Sequence, residues 1–426
     1  METDERLSLK KASWSIFIVS FIIYVVISMT KSAYSASMAS IIGEGIFTTS
    51  SAGIVNTGFY IFYGGGQLLG VGVVDKISPV KLIYMSLVGT FIAIIGMAIS
   101  NSLVSMLIFW SFCGLAQFAI WPAILRVIAE YVLIEQRQKA MIMISFAYCV
   151  GMLLNYLMAS VVLSISNWRM LFILSGAIVI LSMIAWFLIT RKNKEKVEDI
   201  RRENWVINQK YSLAKEKNAT ESQTGFLKII AISGVIFLLV PAVLRSAMDL
   251  GLKTWVPKMM IDIYGVSEGL ASSFTTVLVA VNLAGVFIAG FITQRITKNT
   301  VLAFGICFIV SLPFNILLLF TGKIHITIVV LLLTIITTMM YAGHQLINVV
   351  IPSSFAKYNK TGSVAAMLNA IAAFGNAATT YGFGYIAGNY GWSKIMEVLV
   401  VFAVVSVIFT LIAMPMWAKF SGSRMK

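Results

Sequence analysis

Twelve stretches of this chain are each apolar over a length that crosses a bilayer in helical form. They lie at about residues 13–41, 51–74, 80–99, 102–131, 139–163, 168–190, 226–250, 267–291, 299–320, 325–350, 362–388 and 394–417. A hydrocarbon core of about 30 Å takes roughly 20 residues in helix. Barrel strands would alternate apolar and polar residues over segments of about 10. Lipid offers no partner to a backbone amide, so a long apolar run must satisfy its own hydrogen bonds, as a helix does. Charged residues are 12% of the chain and hydrophobic ones 59%, whereas a soluble domain is about 25% charged. The expectation is an all-α membrane protein of twelve transmembrane helices.

The net charge of +15 reports orientation. Of the 32 Lys and Arg, 23 lie in the N-terminus, the C-terminus and the connections near 75–81, 135–139, 191–217, 295–298 and 357–360. Those are alternate connections, hence one face of the membrane. The positive-inside bias puts that face, with both termini, in the cytoplasm. A multi-pass protein of the cell membrane, in a bacterium the inner membrane, is expected. No basic and aromatic surface module points to nucleic acid. Cys113, Cys149 and Cys307 fall inside spans at spacings that fit neither a disulfide framework nor a zinc site, and read as small buried apolar residues. The first apolar run is too long for a cleavable signal peptide and lacks a cleavage site. The triple glycine at 64–66 is not followed by Gly-Lys-Ser/Thr, and no H-E-x-x-H occurs. Neither an enzyme nor an ATP-driven pump is expected, and no cofactor or metal.

One polar segment, residues 191–225, is charged, mixed in sign and without apolar periodicity. It reads as a cytoplasmic linker with room for a short surface helix. It divides the chain into 1–190 and 226–426, six spans each. The halves echo one another: Lys76 and Arg295 follow the second and eighth spans 219 positions apart, and Trp168 and Trp392 open the sixth and twelfth 224 apart. A near-constant offset across unrelated connections argues a duplicated unit, so two pseudo-symmetric six-helix bundles are expected, with a binding site where they meet.

On these residues the chain resembles the major facilitator superfamily of transporters. The connection "GVGVVDKISPVKL" (70–82) is similar to the superfamily's G-x-x-x-D-R/K-x-G-R/K motif through Asp75, Lys76 and Lys81, with Val71 where its glycine stands. The copy "GFITQRITKNTVL" (290–302) keeps Gly290 and Arg295 but has Gln294 for the acid. "QFAIWPAILRVIAEYVLIEQRQKA" (117–140) resembles the fourth span of the organophosphate:phosphate antiporters and the related anion:cation symporters through Gln117, Trp121, Pro122, Arg126 and Arg137. "YCVGM" (148–152) and "LKTWVPKMM" (252–260) extend the likeness. The resemblance implies alternating access around a central site, with Asp75, Lys76, Arg126, Arg137 and Arg295 as gate residues. It also exposes a departure. In the antiporters two arginines clamp a phosphate, and their positions here are Thr30 and Asp249; a mid-span histidine of that family is Tyr148 here. Specificity for glycerol phosphate or hexose phosphate is therefore not carried over.

Lys31 stands beyond the middle of the first span, where a charge is costly unless it faces a cavity or a partner. Its long stem also permits snorkelling to the outer interface. Asn56, Tyr60, Tyr63 and Gln67 share a face of the second span, as Tyr341, Gln345 and Asn348 do on the tenth and Asn369, Asn376 and Thr380 on the eleventh. Such stripes line a wet cavity or hydrogen-bond between helices. Arg245, Asp249 and Lys253 stand at i, i+4 and i+8, spacing that permits an ion-pair ladder of net charge +1. His344, the one histidine in a span, is either a cavity residue or a packed one.

The reading is a secondary active transporter for a small organic anion: a carboxylate, a sugar acid or an organic phosphate. Its substrate residues are Lys31, Tyr60, Tyr63, Gln67, Tyr148, Arg245, Asp249, His344, Gln345, Asn348, Asn369 and Asn376. A proton, sodium ion or phosphate serves as coupling ion or counter-substrate, and a monomer is expected. Two alternatives stay open: a proton-coupled exporter of amphipathic cations built on Asp249, and a transporter-like ligand sensor.

Overall fold

The computed structural model of the chain describes residues 2–70, 76–216, 226–321, 325–355 and 361–422, and all regular structure among them is helical. The first six spans are Glu2–Gly43, Thr49–Leu69, Pro79–Ile99, Leu103–Gln117 continued by Ile120–Tyr131, Ile134–Ile165 and Trp168–Lys192. The seventh runs through Phe226–Ile232 and Val235–Tyr264, and the eighth through Glu268–Asn282, Ala284–Phe291 and a π turn at Ile292–Ile296. Thr300–Thr321 is the ninth; Ile326–Gln345 with a π turn at Leu346–Val350 is the tenth; Thr361–Tyr390 and Trp392–Ser421 complete the set.

Caps and breaks follow local chemistry. Thr48 and Ser102 close capping boxes at the second and fourth spans, satisfying orphan amides of the first turn. Pro122 removes the amide that would bond to the carbonyl of Phe118, and the fourth span is interrupted there. The letters G-x-S-x-G occur at 265–269, but Ser267 caps the eighth span by accepting from the Leu270 amide at 3.4 Å, and no strand precedes it.

The two halves repeat one packing plan. The first span packs on the fifth and sixth as the seventh packs on the eleventh and twelfth; the third packs on the fourth and sixth as the ninth packs on the tenth and twelfth. The bundles meet along two seams, second on eleventh and fifth on eighth, which a shift of six spans interchanges. Among the described residues, ten spans are long and apolar enough to cross a membrane by length and composition alone. The second and eleventh fall short of that standard, and they face each other. They run antiparallel, Gly53 against Thr380, a Cβ at Gly64 3.1 Å from that of Ala373, and Gln67 bonded to Asn369. Small residues let these two backbones approach.

Away from the linker the seams are closed. Ser35 bonds to Thr254, Ser40 to Glu268, Thr57 to Thr380, Ser160 to Ser273 and Ser50 to Asn389. The Tyr156 hydroxyl donates to the carbonyl of Lys253 at 2.9 Å. Beside the cavity, among the described residues, the bundles are joined by Gln67 to Asn369 and, midway along the fifth and eighth spans, by the Cys149 thiol to the Val279 carbonyl at 3.8 Å.

The linker departs from its expectation. Lys194–Glu216 is one helix, and it is not free of apolar periodicity: Val197, Ile200 and Asn204 are buried on one face. The Asn204 amide donates to the carbonyls of Glu130 and Val132, each at 3.0 Å, satisfying the end of the fourth span. Arg6 pairs with Glu203 at 2.8 Å. The helix is thus docked on the N-terminal bundle.

Candidate functional site

Between the bundles, in the linker-side half, lies a cavity of about 590 Å³. Helix irregularities shape it. The broken fourth span presents Phe118, Trp121 and Pro122 to it, and the tenth passes from α to π winding directly after Gln345, so that Asn348 joins His344 and Gln345 on the wall. Extra turns of this kind recur where helices re-aim side chains at sites.

All twelve side chains singled out for substrate binding line this one space. Lys31 does not snorkel. Its ammonium sits 3.8 Å from the centroid of the Tyr63 ring and 5.9 Å from that of Phe59, a cation–π seat worth about 1 kcal/mol. Among the described residues no carboxylate lies within ion-pair distance of it. Tyr60 and Tyr148 flank it from the second and fifth spans.

Across the cavity the seventh span carries the ladder. Lys253 Nζ is 2.5 Å from Asp249 Oδ1, and Arg245 Nη1 is 3.8 Å from Asp249 Oδ2. Both cations are buried, Arg245 at 3% exposure. Its Nε and Nη1 have no hydrogen-bond partner among the described residues. Guanidinium donors buried without acceptors cost stability and are poised for an anion with two oxygens. Among the described residues Asp249 is the one acid on the wall, and Lys253 is paired with it.

Amides complete the lining. Asn369 donates to Gln67 at 2.7 Å, Asn376 accepts from Ser246, and Asn348 faces His344 Nδ1 at 2.8 Å. The polar stripes are not uniform, however. Asn56 accepts from the Trp110 indole at 3.0 Å and donates to Ser35 at 3.3 Å, and Thr380 bonds to Thr57; both serve helix packing rather than the cavity wall. Thr30, at the clamp-arginine position, turns away too: it donates to the Ile27 carbonyl and accepts from Gln117 at 3.0 Å.

The gate candidates scatter. Asp75 lies outside the described residues. Lys76 and Arg295 are exposed. Arg126 donates to the Ile77 carbonyl at 2.7 Å and to Glu130 at 2.9 Å, tying the fourth span to the connection before the third. Arg137 donates to the Ala129 carbonyl at 2.7 Å. Sequence reading missed Tyr24, whose ring lies 4.9 Å from Trp121, and Ser246, which stands one residue beyond Arg245 on the wall. The one available signal was that Tyr24 is one helical face with Lys31, seven residues on.

The family profile of the Major Facilitator Superfamily matches residues 16–380. A protein from Chlamydia trachomatis (serovar D) named a probable hexose phosphate transport protein is 21% identical over 417 residues, which cover 94% of this chain and 90% of that one. One of the same name from Chlamydia pneumoniae is 19% identical over 432 residues, 98% and 94% of the two chains. Among solved structures, a bacterial homolog of the human lysosomal transporter Spinster, inward-facing and unoccupied, superposes with a TM-score of 0.77 at 16% identity, covering 96% of this chain and 98% of that one. A D-xylose–proton symporter gives 0.73 at 13% identity, with 94% and 97% covered. At such identities the structural likeness shows the fold, and the profile extends across most of the sequence. The chain belongs to the Major Facilitator Superfamily.

Proposed function

We propose that this transporter carries a small organic anion across a cell membrane by alternating access of the central cavity. The observation that carries the reading is Arg245: a buried guanidinium on the cavity wall with donors unspent, opposite Lys31, which has no carboxylate at ion-pair distance, both among the described residues. Charge balance agrees: Asp249, held by Lys253 at 2.5 Å and shared with Arg245 at 3.8 Å, offsets one of the three cations Lys31, Arg245 and Lys253 and leaves two positive charges in excess among the described residues. The same pairing disfavours an exporter of cations, which needs a carboxylate free to receive them. The relatives named as probable hexose phosphate transporters support an organic phosphate within this class; carboxylates and sugar acids share the chemistry.

In this reading residues 1–190 and 226–426 are the moving bundles, and the linker side is cytoplasmic. Arg126 and Arg137 hold the inner ends of the first bundle, with Asp75, Lys76 and Arg295 acting when that side closes. The test is counterflow in proteoliposomes with glucose 6-phosphate, glycerol 3-phosphate and gluconate as probes. At least one is expected to exchange; Arg245→Gln abolishes exchange and Lys31→Ala weakens it about tenfold or more, the order of one charge-assisted bond. Exchange unchanged in both variants defeats the reading.

A further inference from the structure

The tenth span carries a titratable group that anion binding alone does not require. His344 stacks on Tyr341 with ring centroids 5.7 Å apart, and its Nδ1 lies 2.8 Å from Asn348 Nδ2. So oriented, the amide donates and the imidazole nitrogen accepts, which makes the ring neutral with its proton on Nε2. The same orientation leaves Asn348 Oδ1 buried with no hydrogen-bond partner among the described residues. A half-turn of the amide exchanges its two atoms and presents that oxygen to a protonated Nδ1. The pair can therefore keep its hydrogen bond in either protonation state.

Charges from the packed elements decide which state holds. On the seventh span, Arg245 Cδ passes 3.3 Å from where a Cβ of Gly343 would stand, and Lys253 Nζ is 5.4 Å from the centroid of the Tyr341 ring on which His344 stacks. Asp249 is taken up by both cations. Facing the same space are Lys31 on the first span and the neutral Tyr148 on the fifth; the ninth offers Phe304 and the eleventh the amides of Asn369 and Asn376. Arg245 and Lys253 repel a third positive charge at the imidazole, strongly where water is scarce. An anion seated on Arg245 cancels that repulsion.

Resting on the anion-carrier reading, we propose that His344 gains a proton when an organic anion seats against Arg245, so that the protein is a proton–anion symporter. Linkage makes the effect mutual: the proton tightens anion binding by the factor by which the anion tightens proton binding.

Calorimetry of the purified protein tests this with gluconate and with sulfate, whose charges are constant near neutral pH, in two cationic buffers of different ionisation enthalpy. Wild type is expected to absorb up to one proton per anion bound and to bind roughly tenfold tighter at pH 6 than at pH 8. His344→Gln is expected to absorb none and to show an affinity flat with pH, whatever its absolute value. Anion binding without proton uptake in wild type overturns the proposal. So does uptake that survives His344→Gln, or that is abolished by Asp249→Asn alone. If neither anion binds wild type at any pH and none of the counterflow probes exchanges, the anion-carrier reading itself fails first and the symport proposal with it.

Discussion

Ser35 and Thr254 are joined hydroxyl to hydroxyl at 3.3 Å, and they stand 219 positions apart. Lys76 and Arg295 differ by the same offset, so the bonded pair are counterparts in the two halves. A contact between counterparts lies on the axis that relates them. The first and seventh spans therefore meet on the pseudo-two-fold, just beyond the floor of the cavity, and the bond extends into the N-terminal bundle through Asn56 and Trp110. An axis that passes through a closed contact on one side and a cavity on the other suits two rigid halves rocking about their shared interface.

If the halves rock, the seam between the fifth and eighth spans must part when the far side opens. Ser160 and Ser273 bond there at 2.5 Å, close enough for cysteines at both positions to form a disulfide. The oxidised Ser160→Cys/Ser273→Cys protein is expected to lose uptake in vesicles, and dithiothreitol is expected to restore it. Cys113, Cys149 and Cys307 are buried and give little background. Normal uptake by the fully oxidised protein, checked by gel mobility, would mean that this seam does not move.

Why some of this was legible in the sequence and some was not has a physical basis. Lys31, Arg245, Asp249 and His344 stand out because a charge in lipid is costly wherever it does not face a cavity. Tyr60 and Gln67 show a shared face, but periodicity fixes direction and not depth; Asn56 lies on the same stripe and is spent on Trp110. That Phe118 and Trp121 face the cavity was not legible, and Tyr24 showed only its shared face with Lys31, because aromatic rings sit equally well against lipid, protein or cavity. The sequence allowed a short surface helix in the linker but not its docking, because among the described residues the buried face rests on Val197, Ile200 and Asn204 amid a run of charges. The bond from Arg126 to the Ile77 carbonyl joins segments that only the fold brings together.

At the far-side ends of the spans, Arg169 donates to Glu44 at 2.8 Å and to Asn101 at 2.7 Å. Burial alone would raise the Glu44 carboxyl; the hydrogen bond and charge of Arg169 outweigh it and leave the group below its ordinary value. A depressed carboxylate stabilises the fold above its unfolded-state pKa, and that contribution is lost as pH falls through the folded one. Wild type is thus expected to melt above Glu44→Gln at neutral pH, with the gap closing below about pH 4. Melting curves in detergent across that range check it. A gap that is constant with pH would mean the ion pair contributes nothing.

The ladder on the seventh span makes the sharpest demand on stability. Asp249 sits against Lys253 at 2.5 Å and Arg245 at 3.8 Å, with both cations buried. Asp249→Asn keeps the shape and removes the charge, leaving two buried cations without a counterion. Breaking a buried pair from one side costs about 3–5 kcal/mol, and the neighbouring cavity, by admitting water, places this case toward the lower figure. Adding Lys253→Met removes one stranded charge and is expected to return most of the loss, because an apolar residue of similar length suits the 2% exposed site. The comparison separates electrostatics from packing: if Asp249→Asn were harmless, the ladder would be incidental, and if the double variant were worse than the single, the Lys253 stem rather than its charge would be what holds the seventh span in place.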